Sequence, residues 1–140
     1  MLKVESYIVE AHIFRKINDS LEFLLLKRAE GEIYSGIWQM VTGSIDESEE
    51  AYNTAIREIT EETNLHAKKF WVVPHMNSFY SPKRNSICMV PVFAALVEND
   101  AEVTISNEHD EYKWATLEEI AEFEKSVVPV STIRKALSLV

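Results

Sequence analysis

The chain has 140 residues, 46% hydrophobic and 26% charged, which suits one packed domain spanning residues 1–140 and argues against global disorder. Lys and Arg number 14 against 23 Asp and Glu, so the net charge is −9 at pH 7. Because non-specific affinity for a nucleic-acid duplex comes mainly from cations that neutralise phosphates, no long nucleic acid is expected as a partner.

The first part of the chain predicts strands. Residues 4–14 and 21–26 are rich in β-branched and aromatic side chains, as strands are. Residues 27–36 are polar and hold two of the three glycines, which predicts a loop. Residues 37–42 predict a short strand that ends at Gly43.

Residues 48–63 predict a helix. Ser48 is placed to cap its first turn, and Asn64 is a good stop because asparagine tolerates the left-handed conformation found just past many helices. One apolar stripe follows the helical period and is expected to face the core: Tyr52, Ala55, Ile56 and Ile59.

The second part of the chain mixes strands with short helices. We predict strands at 70–73, 87–97 and 111–115, a polar loop at 77–85, and helices at 116–123 and 130–139. The first of these helices begins with a Thr116–Glu119 capping box. This pattern predicts an α/β (α+β) sandwich in which helices cover a mixed sheet.

Acidic residues crowd the end of the predicted 48–63 helix. Glu58, Glu61 and Glu62 are spaced i, i+3, i+4, so their side chains share one face. Like charges at this spacing cost about 0.2–0.5 kcal/mol per pair, and acids near a helix C-terminus oppose the dipole. A hard divalent cation would make use of the crowding, since Mg²⁺ takes carboxylate oxygens. A merely solvated acidic face is the alternative.

The wider spacing decides between these two interpretations. Gly43 is followed after five residues by Glu49, and after seven more by Arg57-Glu58-Ile59-Thr60-Glu61-Glu62-Thr63-Asn64-Leu65. This run resembles the signature box of the Nudix hydrolases, which closes with glycine where this chain has Asn64. The resemblance implies a Nudix-type α/β/α sandwich.

The resemblance also implies the roles of the box residues. Mg²⁺ or Mn²⁺ would be bound by Gly43, through its carbonyl, Glu58, Glu61, Glu62 and, from a later loop, Glu108. Glu108 is equally open to being a surface acid. Arg57 and Glu49 match a pair that braces the loop against the helix, and Arg57 is expected to point away from the acid face. Glu58 or Glu61 would accept the proton of the attacking water, with a metal-bridging hydroxide as an alternative.

The implied reaction is attack of water on a phosphorus of a nucleoside diphosphate linked to a further group. Residues 38–44, 108–109 and 112–114 are similar in sequence to the dihydroneopterin triphosphate and dATP pyrophosphatase branch of the family. This similarity implies that the substrate is a nucleoside or pterin triphosphate and that the products are the monophosphate and pyrophosphate. A dinucleoside polyphosphate, ADP-ribose or a capped RNA end is the alternative substrate. A nucleotide-binding module without turnover is the alternative class, although all the box acids are present.

Substrate-binding candidates lie outside the box, each with a simpler structural role as its alternative: Arg28, Lys83 and Arg84 for phosphate or pterin, and Tyr34, Trp38 and Tyr80 for stacking on a base. The four histidines lack ligand-like spacing, and Cys88 lies in an apolar run where an inert core thiol is expected. The longest apolar run is too short for a membrane helix, so we expect a cytoplasmic protein. A homodimer is common in the family, but nothing in the residues demands one.

Overall fold

Strands dominate the structure, a computed structural model that describes residues 1–32 and 34–122. In chain order its elements are β1 (Lys3–Glu5), β2 (Ile8–Ile17), β3 (Ser20–Arg28), β4 (Trp38–Gln39), β5 (Val41–Ser44), α1 (Ala51–Thr63), β6 (Lys69–Ser81), β7 (Ser86–Leu96), β8 (His109–Ala115) and α2 (Leu117–Glu122). Within the described residues all the strands form one mixed sheet. Its central path is β1-β7-β2-β3-β4, with β5 on β2, β6 on β7 and β8 on β3.

Strand alternation gives this sheet two apolar faces. Val9, Ala11 and Ile13 of β2 point to one face, where Ala55 and Ile59 of α1 pack. The other face carries residues of opposite parity, among them Phe14, Leu25, Val92 and Ala94, and Ile120 of α2 packs there. A helix therefore covers each face, and the expected α/β/α sandwich is confirmed.

The helix prediction was right at its end, Thr63, and wrong at its start. α1 begins at Ala51, with Glu50 as N-cap and no side-chain cap bond, while Ser48 has φ 69° in the preceding turn. Of the predicted apolar stripe, Ala55 and Ile59 are buried, whereas Tyr52 and Ile56 are exposed. The ring of Tyr52 packs edge-on against the ring of Phe70, 4.8 Å between centroids, rather than entering the core.

Three strand predictions needed correction. Residues 77–81 are strand rather than loop, because β6 pairs with β7 as far as Ser81↔Ser86 and the ladder satisfies its backbone whatever the side chains are. The predicted 4–14 strand is divided into β1 and β2, and the predicted 37–42 strand is divided into β4 and β5, which ends at Ser44. The Thr116–Glu119 capping box is confirmed by reciprocal bonds of 3.0 and 3.3 Å. The predicted 130–139 helix, and residue 123, lie outside the described residues.

In residues 1–32 and 34–122, no helix is long and apolar enough to cross a bilayer.

Asn64, the one departure from the Nudix box, ends α1 in the left-handed conformation. Its φ is 58°, and its backbone N–H donates to the carbonyl of Thr60 at 2.9 Å. The substitution therefore keeps the turn that glycine would make.

We expect Asn64→Gly to stabilise the fold by a few tenths of a kcal/mol and Asn64→Ala to destabilise it by about 1 kcal/mol, because a Cβ is unfavourable at positive φ and asparagine tolerates it best. Urea unfolding of both variants beside the parent measures the difference. Equal stability of the alanine and glycine variants would contradict the assigned conformation.

Candidate active site

The carboxylates predicted to bind metal meet where α1 packs beside β5. A cavity of about 280 Å³ lies there, lined by Ile8, Thr42, Gly43, Ser44, Asp46, Glu58, Glu62 and Glu108. Burial of Ala55 and Ile59 against the sheet fixes the rotation of α1, which turns Glu58 and Glu62 toward β5. Glu108 arrives from the loop before β8, and its carbonyl accepts from the N–H of Ala29 at 2.9 Å.

Glu61 is placed differently from its two neighbours. Its side chain is 55% exposed and accepts from Arg57 Nη1 at 3.1 Å, and it does not line the cavity. Three acids that share one helix face in the sequence are thus divided between the cavity and the surface, because the neighbouring strand covers only part of that face.

Arg57 is the centre of the ionic network. It donates from Nε and Nη2 to the two carboxylate oxygens of Glu49, at 2.8 and 2.9 Å, and from Nη2 to the carbonyl of Ser44 at 3.1 Å. All three bonds join the segment before α1 to the helix. The two bonds from Arg57 to Glu49 are the main reason that the pKa of Glu49 is lowered to about 2. The expectation that Arg57 points away from the acids was wrong, since Nη1 also donates to Glu58 at 2.9 Å.

Glu62 is the buried acid of the site. It is 4% exposed, and its Oε2 has no hydrogen-bond partner among the described residues. Burial, with the charges of Glu58 and Glu108 added, raises the pKa of Glu62 to about 9. Burial also raises the pKa of Glu58, against the opposing charge of Arg57.

These groups fit a divalent cation. An unpartnered buried carboxylate oxygen beside two further carboxylates is the hard oxygen set that Mg²⁺ or Mn²⁺ takes, and a cation would offset both the burial and the repulsion that raise the pKa of Glu62. Within the described ranges, no three His, Cys, Asp or Glu side chains are already gathered as a ligand set. Glu58 and Glu61 each accept from Arg57 through one carboxylate oxygen, so the other oxygen of each is the candidate ligand.

Gly43 is needed for the approach of Glu58. A Cβ built on Gly43 would lie 2.2 Å from both Cγ and Cδ of Glu58, far inside contact distance. Glycine is needed here because there is no room for a Cβ, and not because of its backbone conformation. Gly43 is an ordinary strand residue of β5, paired with Val9.

The buried acid predicts that the metal-free protein loses stability as pH rises. The pKa of Glu62 is about 9 in the folded state, against 4.5 for an ordinary glutamate, so between these values the folded state holds a proton that the unfolded state releases. Because one pKa unit is worth ~1.4 kcal/mol, we expect the parent to lose at least ~1 kcal/mol relative to Glu62→Gln between about pH 5.5 and pH 8. Urea unfolding in EDTA measures this, and parallel pH profiles would contradict the prediction.

A second, larger cleft opens beside this site. It measures about 710 Å³ and is lined by Lys27, Arg28, Glu30, Ser35, Gly36, Trp38, Asp110, Glu111 and Lys113. Arg28 and Trp38 were predicted to bind substrate, whereas Lys27 and Lys113 were missed. Lys113 Nζ lies 4.9 Å from the centroid of the Trp38 ring, across the β3–β8 and β3–β4 pairings. Only cross-strand register brings these residues together.

The other predicted substrate contacts lie elsewhere. Arg84 donates from Nε and Nη2 to Glu5, at 2.8 and 2.9 Å, and its guanidinium lies 4.3 Å from the centroid of the Tyr7 ring. The Tyr80 hydroxyl donates to Asn85 at 2.8 Å. Lys83 is exposed in the same β6–β7 turn, and Tyr34 is exposed in the loop after β3. None of these predicted residues lines either cavity.

One neighbouring residue was missed. His109 is buried, with Nε2 3.3 Å from Gln39 Nε2 and with Nδ1 unpartnered among the described residues. Burial lowers its pKa. No sequence signal other than its place beside Glu108 points to it.

Comparison with known proteins agrees with this geometry. The family model described as "NUDIX domain" matches residues 7–134. An asymmetrical bis(5'-nucleosyl)-tetraphosphatase of Rattus norvegicus is 30% identical over 124 residues, 84% of this chain and 82% of the relative. A dihydroneopterin triphosphate diphosphatase of Haemophilus influenzae is 28% identical over 132 residues, 85% of this chain and 80% of the relative. The crystal structure of a MutT protein from Methanosarcina mazei superposes with a TM-score of 0.78 at 26% identity, covering 99% of this chain and 98% of that one.

Proposed function

The chain belongs to the NUDIX domain family, and from that premise we propose that this pyrophosphohydrolase cleaves dinucleoside polyphosphates, with a dinucleoside tetraphosphate as the reference substrate. Membership of this family, together with its hydrolase relatives, assigns the chain to the pyrophosphohydrolases. The convergence of Glu58, Glu62 and Glu108 on one cavity, with an unpartnered oxygen on Glu62, carries the proposal that phosphate is bound through a divalent cation there.

The second cleft supports a substrate with two nucleosides. Arg28 lines that cleft, and its charge opposes the rise in the pKa of Glu62, which lines the carboxylate cavity. A polyphosphate bridge held at the carboxylates could place one nucleoside in the cleft, where Trp38 offers a ring and Lys27 and Lys113 offer cations. A triphosphate has only one nucleoside to place.

The residues of the chain would act as follows. Glu58, Glu62 and Glu108, with the carbonyl of Gly43, would hold Mg²⁺ or Mn²⁺, which when bound neutralises phosphate charge and acidifies water. Arg57 fixes the approach of Glu58 and anchors the loop through Glu49. Glu58 is our candidate proton acceptor, because it lines the cavity and Glu61 does not. Water adds to one phosphorus, one P–O–P bond breaks, and a nucleoside monophosphate and triphosphate leave.

Product analysis tests the proposal. The full chain is incubated with diadenosine tetraphosphate, dihydroneopterin triphosphate, dATP and ADP-ribose, in Mg²⁺, in Mn²⁺ and in EDTA, and products are resolved by chromatography. We expect the highest kcat/KM for the tetraphosphate, with AMP and ATP as products and no turnover in EDTA. Equal rates in EDTA would overturn the metal role, and no turnover of any compound would overturn the function.

A pterin triphosphate is the second candidate. The similarity to the Haemophilus influenzae diphosphatase favours it, as does the likeness of residues 38–44 noted from the sequence. A kcat/KM for dihydroneopterin triphosphate above that for the tetraphosphate, with pyrophosphate as product, would replace the first candidate by this one.

A further inference from the structure

A chain of polar side chains lies on the sheet face opposite α1. Glu10 of β2 accepts from the amide Nδ2 of Asn77 on one carboxylate oxygen and lies 2.7 Å from His12 Nε2 on the other. The amide oxygen of Asn77 lies 2.8 Å from His75 Nε2. Glu10 and His12 are 3% and 2% exposed, whereas Asn77 and His75 are half-buried.

Burying such a network costs free energy of folding if its role is only structural. Burying a carboxylate costs several kcal/mol that its partners only partly repay, and apolar replacements of equal size are often as stable. The neighbouring positions on this face are apolar, among them Phe14, Val92 and Ala94. Stability alone therefore does not account for Glu10 and His12.

The network lies next to the carboxylate cavity. Glu10 pairs with Thr42 across β2 and β5, so both side chains share a face, and Thr42 and Ile8 line the cavity. Glu10 is two residues along β2 from Ile8, a distance of roughly 7 Å, which is within the reach of a nucleoside whose phosphates lie in the cavity.

The far end of the network also has space beside it. The β6–β7 register shifts between Val72 and Met76, and a mostly apolar cavity of about 390 Å³ lies at that shift, with His75 in its wall. Irregularities of this kind often re-aim side chains next to functional sites.

We propose that Asn77 determines base specificity by reading the heterocycle of the substrate, and that Glu10 and His75 are positioning residues that set its amide. This rests on the proposed function. A carboxylate accepts only, so Glu10 takes the Nδ2 end of Asn77, and the Oδ1 end turns to His75. An amide of fixed orientation pairs with an edge that carries an amino group beside a ring nitrogen, as adenine does.

Kinetics on two bases test the proposal. Because a good bidentate pair is worth ~1–3 kcal/mol of discrimination, we expect Asn77→Ser to raise KM for the adenine substrate at least 10-fold, to change kcat less than 3-fold, and to bring the adenine-to-guanine ratio of kcat/KM close to one. Ser78→Ala, at the next and exposed position of β6, is the matched control and should leave the ratio unchanged. An unchanged ratio in an active Asn77→Ser enzyme overturns the proposal.

Two variants separate positioning from folding. Glu10→Gln keeps an acceptor oxygen for Asn77 and should retain the base preference, whereas Glu10→Leu should lose it. If Glu10 were only structural, Glu10→Leu would change the unfolding midpoint and leave the preference intact.

A binding measurement keeps this proposal distinct from the catalytic one. Titration of the protein in Mg²⁺ with AMP and with GMP, neither of which has a P–O–P bond to cleave, followed by NMR of side-chain amides, should shift the Asn77 signal with AMP at lower concentration. If no substrate is turned over but the Asn77 signal shifts, the proposed function is overturned and the role of Asn77 is not. If substrate is turned over, the Asn77 signal does not shift, and the adenine-to-guanine ratio of kcat/KM is unchanged in Asn77→Ser, the role proposed for Asn77 is overturned.

Discussion

Replacing Glu58 or Glu62 with glutamine is expected to lower kcat/KM by at least 100-fold while leaving the fold intact. Each side chain lines the carboxylate cavity, and glutamine keeps the shape but removes the charge that would hold a divalent cation. For Glu58 the loss would include the proton acceptor, and general-base catalysis alone contributes ~10²–10⁴-fold. Steady-state kinetics on the tetraphosphate, with circular dichroism as the fold check, measures both properties.

Glu50→Gln is the matched control, because it removes the same charge from an exposed residue just before α1. Glu61→Gln is predicted from the box to lose orders of magnitude as well, although Glu61 bonds to Arg57 outside the cavity. A variant of Glu58, Glu61 or Glu62 as active as the parent would remove that carboxylate from the mechanism. Isothermal titration with Mn²⁺ provides a readout that does not depend on turnover.

Gly43→Ala is expected to resemble the loss of Glu58 itself. The new Cβ would occupy the place of Glu58 Cγ and Cδ, and this outer part of a flexible side chain can swing away while β5 keeps its backbone. We therefore expect a loss of kcat/KM comparable to that of Glu58→Gln, with a change in the free energy of unfolding of less than about 1.5 kcal/mol.

A double-mutant cycle isolates the cause. If Gly43 serves only to make room for Glu58, Gly43→Ala should cost little further activity in a Glu58→Ala background, and the two effects should be far from additive. Additive losses would show instead that Gly43 acts on its own, for example through the carbonyl that the family resemblance assigns to a metal.

Two local features were predicted correctly from local patterns, whereas the Ser48 cap was not. The Thr116–Glu119 capping box and the left-handed Asn64 depend on neighbouring backbone atoms alone, and both were read from short runs of residues. The 77–81 segment was taken for a loop because its side chains are polar. Its strand conformation comes from pairing with β7, a partner that side-chain composition does not reveal.

In the candidate site, too, some features follow from the local sequence and others depend on tertiary packing. Glu58, Glu61 and Glu62 share a helix face by spacing, yet Glu58 packs against Gly43 of β5, Glu62 is buried and Glu61 is exposed. Arg57 was expected to turn from the acids. It reaches Glu58 and Glu61 because its long side chain can bond several carboxylates at once.

By itself, the sequence determined the family, the α/β/α architecture and the set of box residues, because helical period and residue spacing are properties of a continuous stretch of chain. Only the tertiary structure decided that Glu62 is buried with an unpartnered oxygen, that Gly43 must lack a Cβ, and that Glu10 meets Asn77. Each of these depends on the register and packing of elements distant along the chain, and a one-residue slip of a strand would turn its side chains to the opposite face.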